Sequence, residues 1–279
     1  MRHFLVGADL SSRSEPAVSR AFQLIQQHDA KLTVLHVVHE DIPARMVDRL
    51  VEEQHAALQT QIASRAKGDP SKIDAVAIWG DPFFEIIHHV EKGAVDLVIL
   101  GMHRRSLLRD TFLGTTAERI VRHVDVPSLI VSATGDEPYK RVLVAVDGGP
   151  CAREAFRSAH QLAPTAEFQI LHKYREAAKE LSSEPERSRR IAEQVVNCEI
   201  DAVLGPNGHG GKGVFPMVRT GRLAETIRAE CQRLSCDLLA VGAHGQPSFA
   251  TAIWGSRTLD ILHNPPCDVL VGPASQRPH

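Results

Sequence analysis

The feature that most constrains this chain is that it says the same thing twice. HFLVGADLS (residues 3–11) returns as RVLVAVDGG (141–149), which sets Asp9 over Asp147 at an offset of 138. DLVILGMHRR (96–105) returns as DLLAVGAHGQ (237–246), and FLGTTAERI (112–120) returns as IWGSRTLDI (253–261). The last two share one offset, because Gly101 to Gly242 and Gly114 to Gly255 are both 141 residues; Gly80 and Gly221 keep it as well. Landmarks that hold nearly one spacing across half a chain are the mark of a duplicated unit.

Each half reads as strands alternating with helices. FLVGAD, LTVLHVV (32–38), IDAVAIW (73–79), DLVILG (96–101) and PSLIVSA (127–133) are short Val/Ile/Leu runs. Between them, residues 15–29, 44–66, 82–93 and 114–123 carry helical spacing of apolar positions. VLVAVD, FQILHKY, VFPMVRT, DLLAVG and DVLVGPA repeat the strands in the second half. Near-continuous apolar strands alternating with helices predict a parallel sheet covered on both faces, here as two doubly wound α/β domains. The polar stretch TGDEPYK (134–140) is the natural seam, giving domains over 1–136 and 139–279.

Composition narrows the function. Thirty-two basic against thirty-four acidic side chains leave a formal charge of -2, and no polybasic run suits a nucleic-acid backbone or an anionic membrane. The apolar stretch before Asp9 is too short for a secretory signal or a membrane span. Five scattered cysteines without a CxxC suit a reduced, cytoplasmic protein that uses them for packing, and Cys231 and Cys236, five apart, fall off the helical three/four rule. The fifteen histidines form no metal-binding pattern. The glycine-rich stretch GPNGHGGKG (205–213) is not a P-loop, because Pro206 stands where the first glycine belongs and Gly213 where Ser/Thr belongs.

In open α/β sheets ligands sit beyond the carboxyl ends of the strands. There the second half has Gly242-Ala243-His244-Gly245, nine residues, then Gly255-Ser256 opening a helix. Glycines let phosphate approach the backbone, and a helix start offers unpaired N–H groups with a partial positive charge. Asp147, at the end of strand one, belongs to the same crevice and suits a ribose or base group. Asp9 and Asp147 also suit a local capping role, and His103 and His244 suit solvent-facing loops.

With its Gly-x-x-Gly, nine residues, Gly-Ser/Thr and the aspartate after strand one, the sequence resembles the universal stress protein family, as a tandem of two copies. The resemblance implies Rossmann-like domains of the adenine-nucleotide α-hydrolase type, packed as an internal pseudo-dimer through their last strands, with a homodimer left open. It implies a stress-response regulator that binds ATP, with or without Mg, and turns it over slowly if at all. The residues implied are Asp147, Lys173 (at a position where the family holds adenine by a backbone group), Gly242, His244, Gly245, Gly255, Ser256, Arg257 and Thr258. In the first half Asp9, Val37, Gly101, Gly114 and Thr115 match, but Arg104 replaces the second glycine, so this site is expected to be degenerate. No catalytic or metal-binding residue is assigned. A slow ATPase or nucleotide-handling enzyme, and a nucleotide-free interaction module, remain the alternatives.

Overall fold

The computed structural model describes residues 1–65, 69–102, 116–132, 135, 137–147, 149–173, 185–204, 213–220, 222–243 and 256–273. Their contacts divide the chain into two compact units, Met1–Pro138 and Tyr139–His279. The first unit runs β1 (His3–Gly7), α1 (Glu15–His28), β2 (Lys31–His39), α2 (Ala44–Arg65), β3 (Ile73–Gly80), α3 (Pro82–Lys92), β4 (Leu97–Gly101), α4 (Thr116–His123) and β5 (Ser128–Val131). Its strands pair in parallel in the order β3-β2-β1-β4-β5. The second unit runs β6 (Arg141–Val146), α5 (Pro150–Leu162), β7 (Glu167–Lys173), α6 (Pro185–Leu204), β8 (Val214–Arg219), α7 (Leu223–Leu234), β9 (Leu238–Gly242), α8 (Ser256–His263) and β10 (Asp268–Gly272). Its parallel order, β8-β7-β6-β9-β10, repeats the first.

These elements follow from local chemistry. In β4 and β9 every residue before the closing glycine is buried, as a strand covered on both faces requires. Asp81 caps α3, its carboxylate accepting the Phe83 and Phe84 N–H groups at 2.9 and 3.1 Å with Pro82 in the first turn. The first helix stops at His28, one residue before the sequence pattern suggests, because Asp29 turns left-handed (φ 52°) as its C-cap. The aspartate that opens each fourth-strand segment serves the same purpose twice. Asp96 accepts the N–H groups of Arg2 and His3, and Asp237 those of Lys140 and Arg141 (2.8 and 3.0 Å), tying the start of β1 to β4 and of β6 to β9.

Two helices cover each face of each sheet. In the first unit Arg65 of α2 pairs with Glu15 of α1, while Phe83 of α3 packs edge-on against His123 of α4 at 5.0 Å, with Arg119 over its ring. In the second, Arg153 of α5 grips Glu199 of α6 through two bonds of 2.9 and 3.2 Å, and Arg228 of α7 donates to the Asp260 carbonyl of α8 at 2.7 Å. Glu199 is only 2% exposed, so the fork of Arg153 is what lets its charge remain inside. The buried Tyr139 hydroxyl donates to Asp268 at 2.8 Å, anchoring the start of the second unit to β10.

Cys231 and Cys236 touch despite their spacing. Ser235 is left-handed (φ 50°) and the Cys236 N–H bonds the Cys231 carbonyl at 2.9 Å, a Schellman closure that brings these two positions together at the end of α7. Cys231 interacts with both Cys236 and Cys267. All five cysteines are free.

The ends of β9 and β10 lie unusually close to α5. A Cβ on Gly242 would stand 2.8 Å from the Ala152 nitrogen, and one on Gly272 would stand 2.7 Å from both the Ala155 nitrogen and the Cys151 carbonyl oxygen. Backbone cannot yield as a side chain does, so Gly272→Ala should destabilise the second unit by about 1–3 kcal/mol, the usual effect of overpacking. Urea unfolding checks this; an unchanged midpoint and slope would contradict the close approach.

Candidate functional site

The chain reverses its direction of travel across the sheet at β1, which pairs with β2 on one side and β4 on the other. Helices leaving β1 and β4 therefore go to opposite faces, and a crevice opens between them at the carboxyl ends. In the first unit this crevice is a cavity of about 270 Å³, close to the lower end of the ~300–1,000 Å³ usual for small-molecule sites. Its walls are mostly apolar: Leu35 and Val37 of β2, Ile86 of α3, Leu100 of β4, Met102 just past it and Ile120 of α4. Asp9, Arg13, Ser14 and Thr116 bring polar groups to it.

The turn after strand one is built around its aspartate. Asp9 Oδ1 accepts the Ser11 N–H at 2.9 Å and the Ser11 hydroxyl at 2.7 Å, while Ser14 Oγ takes the Asp9 N–H at 3.2 Å. Leu10 between them is held left-handed at φ 57°, which for a residue with a Cβ costs about 1–2 kcal/mol. By sequence offset the second unit has Gly148 there. Asp147 makes the matching contact, its Oδ1 accepting the Gly149 N–H at 2.9 Å. Burial opposes ionisation of Asp9, but the hydroxyls of Ser14 and Ser11, the Ser11 N–H and the Arg13 charge outweigh it and hold the carboxyl below its ordinary value. Both aspartates thus cap the turn that follows their strand.

A further pair of residues joins the turn to strand two. His36 Nδ1 bonds the Ala8 carbonyl at 2.8 Å, and His172 Nδ1 bonds the Val146 carbonyl at 2.9 Å. Spacing rules for metal or acid–base sites do not select these histidines. Their signal is the repeat itself, since each follows a leucine at the same point of strand two, in LHVV and LHKY.

Of the first-half residues singled out by sequence, Asp9, Val37 and Gly101 meet around the cavity; Arg104, Gly114 and Thr115 lie outside the described residues. In the second half Asp147 follows β6, Lys173 ends β7, Gly242 ends β9 and Ser256, Arg257 and Thr258 form the first turn of α8. His244, Gly245 and Gly255 lie outside the described residues. Neither Gly101 nor Gly242 adopts a positive φ. What each avoids is a Cβ against the start of the helix that leaves the central strand: Arg13 O at 3.2 Å for Gly101, and the Cys151–Ala152 backbone for Gly242. Among the described residues no group of three or more His, Cys, Asp or Glu side chains is arranged to hold a metal ion.

Two doubly wound units, each with a topological switch at its central strand, define a tandem α/β protein. The universal stress protein family model matches residues 1–132 and again 138–273, and the chain belongs to that family. Universal stress protein YxiE of Bacillus subtilis is 26% identical over 142 residues, 46% of this chain and 96% of that one. Universal stress protein A of Escherichia coli is 27% identical over 146 residues, 49% of this chain and 97% of that one. A solved universal stress protein from Archaeoglobus fulgidus shares the fold over 98% of both chains, with a TM-score of 0.69 at 21% identity. No helix among the described residues is long and apolar enough to cross a membrane.

Because the folded Asp9 carboxyl titrates below its unfolded value, its contribution to stability is complete above the unfolded pKa of about 3.9 and is lost as pH falls through the folded one. The stability difference between wild type and Asp9→Asn should be constant above about pH 5 and shrink below about pH 4. Unfolding midpoints measured across that range check the sign; a difference that grows toward acid would contradict it.

Proposed function

We propose that this universal stress protein is a cytoplasmic stress-response regulator that binds ATP, with or without Mg, at the carboxyl edge of its second unit. The observation that carries the reading is the uninterrupted set Gly242-x-x-Gly245, nine residues, Gly255-Ser256, in a half whose strand order opens the same crevice that the first unit displays. Ser256 begins α8, and a helix start supplies N–H donors and a positive partial charge suited to phosphate. Asp147 follows β6 and suits the ribose hydroxyls; the backbone around Lys173, ending the neighbouring β7, suits the adenine edge. Mg would lie with the phosphates and reduce their charge.

These residues account for holding a nucleotide rather than cleaving it. They include phosphate donors and one carboxylate engaged in its own turn, with no residue assigned as base or nucleophile. Any turnover belongs well below the enzyme median of ~10 s⁻¹.

A second reading attaches to the first unit, where the cavity itself is the favouring observation. At about 270 Å³, with apolar walls and the exposed Arg13 beside Asp9, it suits a ligand smaller than ATP, sensed alongside the nucleotide. Arg104, standing in sequence where the second unit has Gly245, fits that loss of triphosphate space.

Calorimetric titration with MgATP tests the main reading. One ATP per chain is expected, lost on Gly245→Arg and retained on Arg104→Gly. Two equivalent sites, or binding that survives Gly245→Arg, would contradict it, and rapid multiple-turnover ADP release would favour the enzyme alternative.

A further inference from the structure

We propose that His172, with His36 as its first-unit counterpart, is a positioning residue that clamps the aspartate turn to strand two and so fixes the two sides of the nucleotide crevice relative to each other. The proposal rests on the ATP reading above for its consequence, though not for its geometry.

The need for a clamp comes from where the strand ladder ends. In the first unit the last rung is the Ala8 N–H to the Leu35 carbonyl at 2.9 Å; one residue on, the chain has turned into Asp9. The Ala8 carbonyl stands beyond that rung, at the point where strand pairing gives way to a turn, and half-buried carbonyls in such places need a donor. His36 Nδ1 supplies it at 2.8 Å. In the second unit Val146 is in register with His172, and His172 Nδ1 supplies its carbonyl at 2.9 Å. A carbonyl oxygen only accepts, so Nδ1 carries a hydrogen in both rings, which makes the neutral form the Nδ1–H tautomer.

The bonded carbonyl belongs in each case to the residue just before the crevice aspartate, Ala8 before Asp9 and Val146 before Asp147. The histidine in turn stands just before the residue assigned to the adenine side, His36 before Val37 and His172 before Lys173. One ring therefore couples the ribose side to the adenine side through a single hydrogen bond. His36 itself is not part of the cavity wall, whereas its neighbours Leu35 and Val37 both are. That alternation follows the strand period of two and means the ring acts through the turn, not by touching a ligand. Two halves that differ in most of their residues keep this bond, in the same register, to the same carbonyl.

His172→Leu removes the donor at similar volume, and His172→Asn keeps an N–H near the Nδ1 position. Two readouts separate positioning from general loosening. The first is hydrogen exchange of the Gly149 amide, which is bonded to Asp147. The second is the affinity for ATP beside that for inorganic triphosphate, which lacks ribose and adenine. Loss of one part-buried bond corresponds to about a three- to tenfold effect. His172→Leu should speed Gly149 exchange and weaken ATP by about that factor, leave triphosphate affinity unchanged, and be reversed in both respects by His172→Asn. In the first unit, His36→Leu should speed exchange at the Ser11 amide in the same way. Unchanged exchange at Gly149, equal acceleration throughout α5 and β7, or parallel losses for ATP and triphosphate would overturn the clamp. If the wild type takes up no ATP, the nucleotide reading fails, and local exchange at Gly149 and Ser11 alone decides the clamp.

Discussion

β1 hydrogen-bonds with β2 along one edge and with β4 along the other, and β6 does the same with β7 and β9. From this pairing the rest is inherited. Right-handed crossovers then carry α1 and α2 to one face and α3 and α4 to the other, so that the chain parts at the carboxyl end of the central strand. In the first unit the parting is the cavity between Asp9 and the end of β4. Whatever lies at the ends of the three central strands is brought to its rim: an aspartate after strand one, a backbone edge from strand two, a glycine ending strand four.

Close approach is the second constraint, and it follows from the first. The helix leaving the central strand must pack over strands four and five, and in the second unit its backbone comes within 3 Å of where a Cβ on Gly242 or Gly272 would be. The glycine at the end of β9 thus belongs to the fold before it belongs to a ligand. The same holds for Gly101 in the first half, where a Cβ would stand 3.2 Å from the Arg13 carbonyl oxygen just before α1.

The strands and helices were legible because burial on both faces of a parallel sheet leaves continuous apolar words, and the repeat supplied each word twice. Asp9 and Asp147 were legible as a pair for the same reason. Physical roles were harder to read. Glycine is compatible with a positive φ, phosphate approach and tight helix packing alike, and only coordinates distinguish the last. Cys231 and Cys236 escaped the helical three/four rule because a left-handed Ser235 folds the chain back between them. His36 and His172 escaped because a histidine that bonds a main-chain carbonyl needs no acidic or metal-binding partner, so the chemistry that usually marks a functional histidine is missing. Their equivalence across the repeat was the available sign.

The central claim is that the nucleotide belongs to the crevice beyond β6 and β9, between Asp147 and the start of α8, and that the matching crevice of the first unit is built for something smaller. A crystal structure grown in the presence of MgATP addresses it directly. The account predicts triphosphate density against the Ser256 end of α8, with the ribose beside Asp147 and the adenine against the end of β7. Nucleotide density in the first-unit cavity beside Asp9 and Arg13, with none in the second unit, would contradict it.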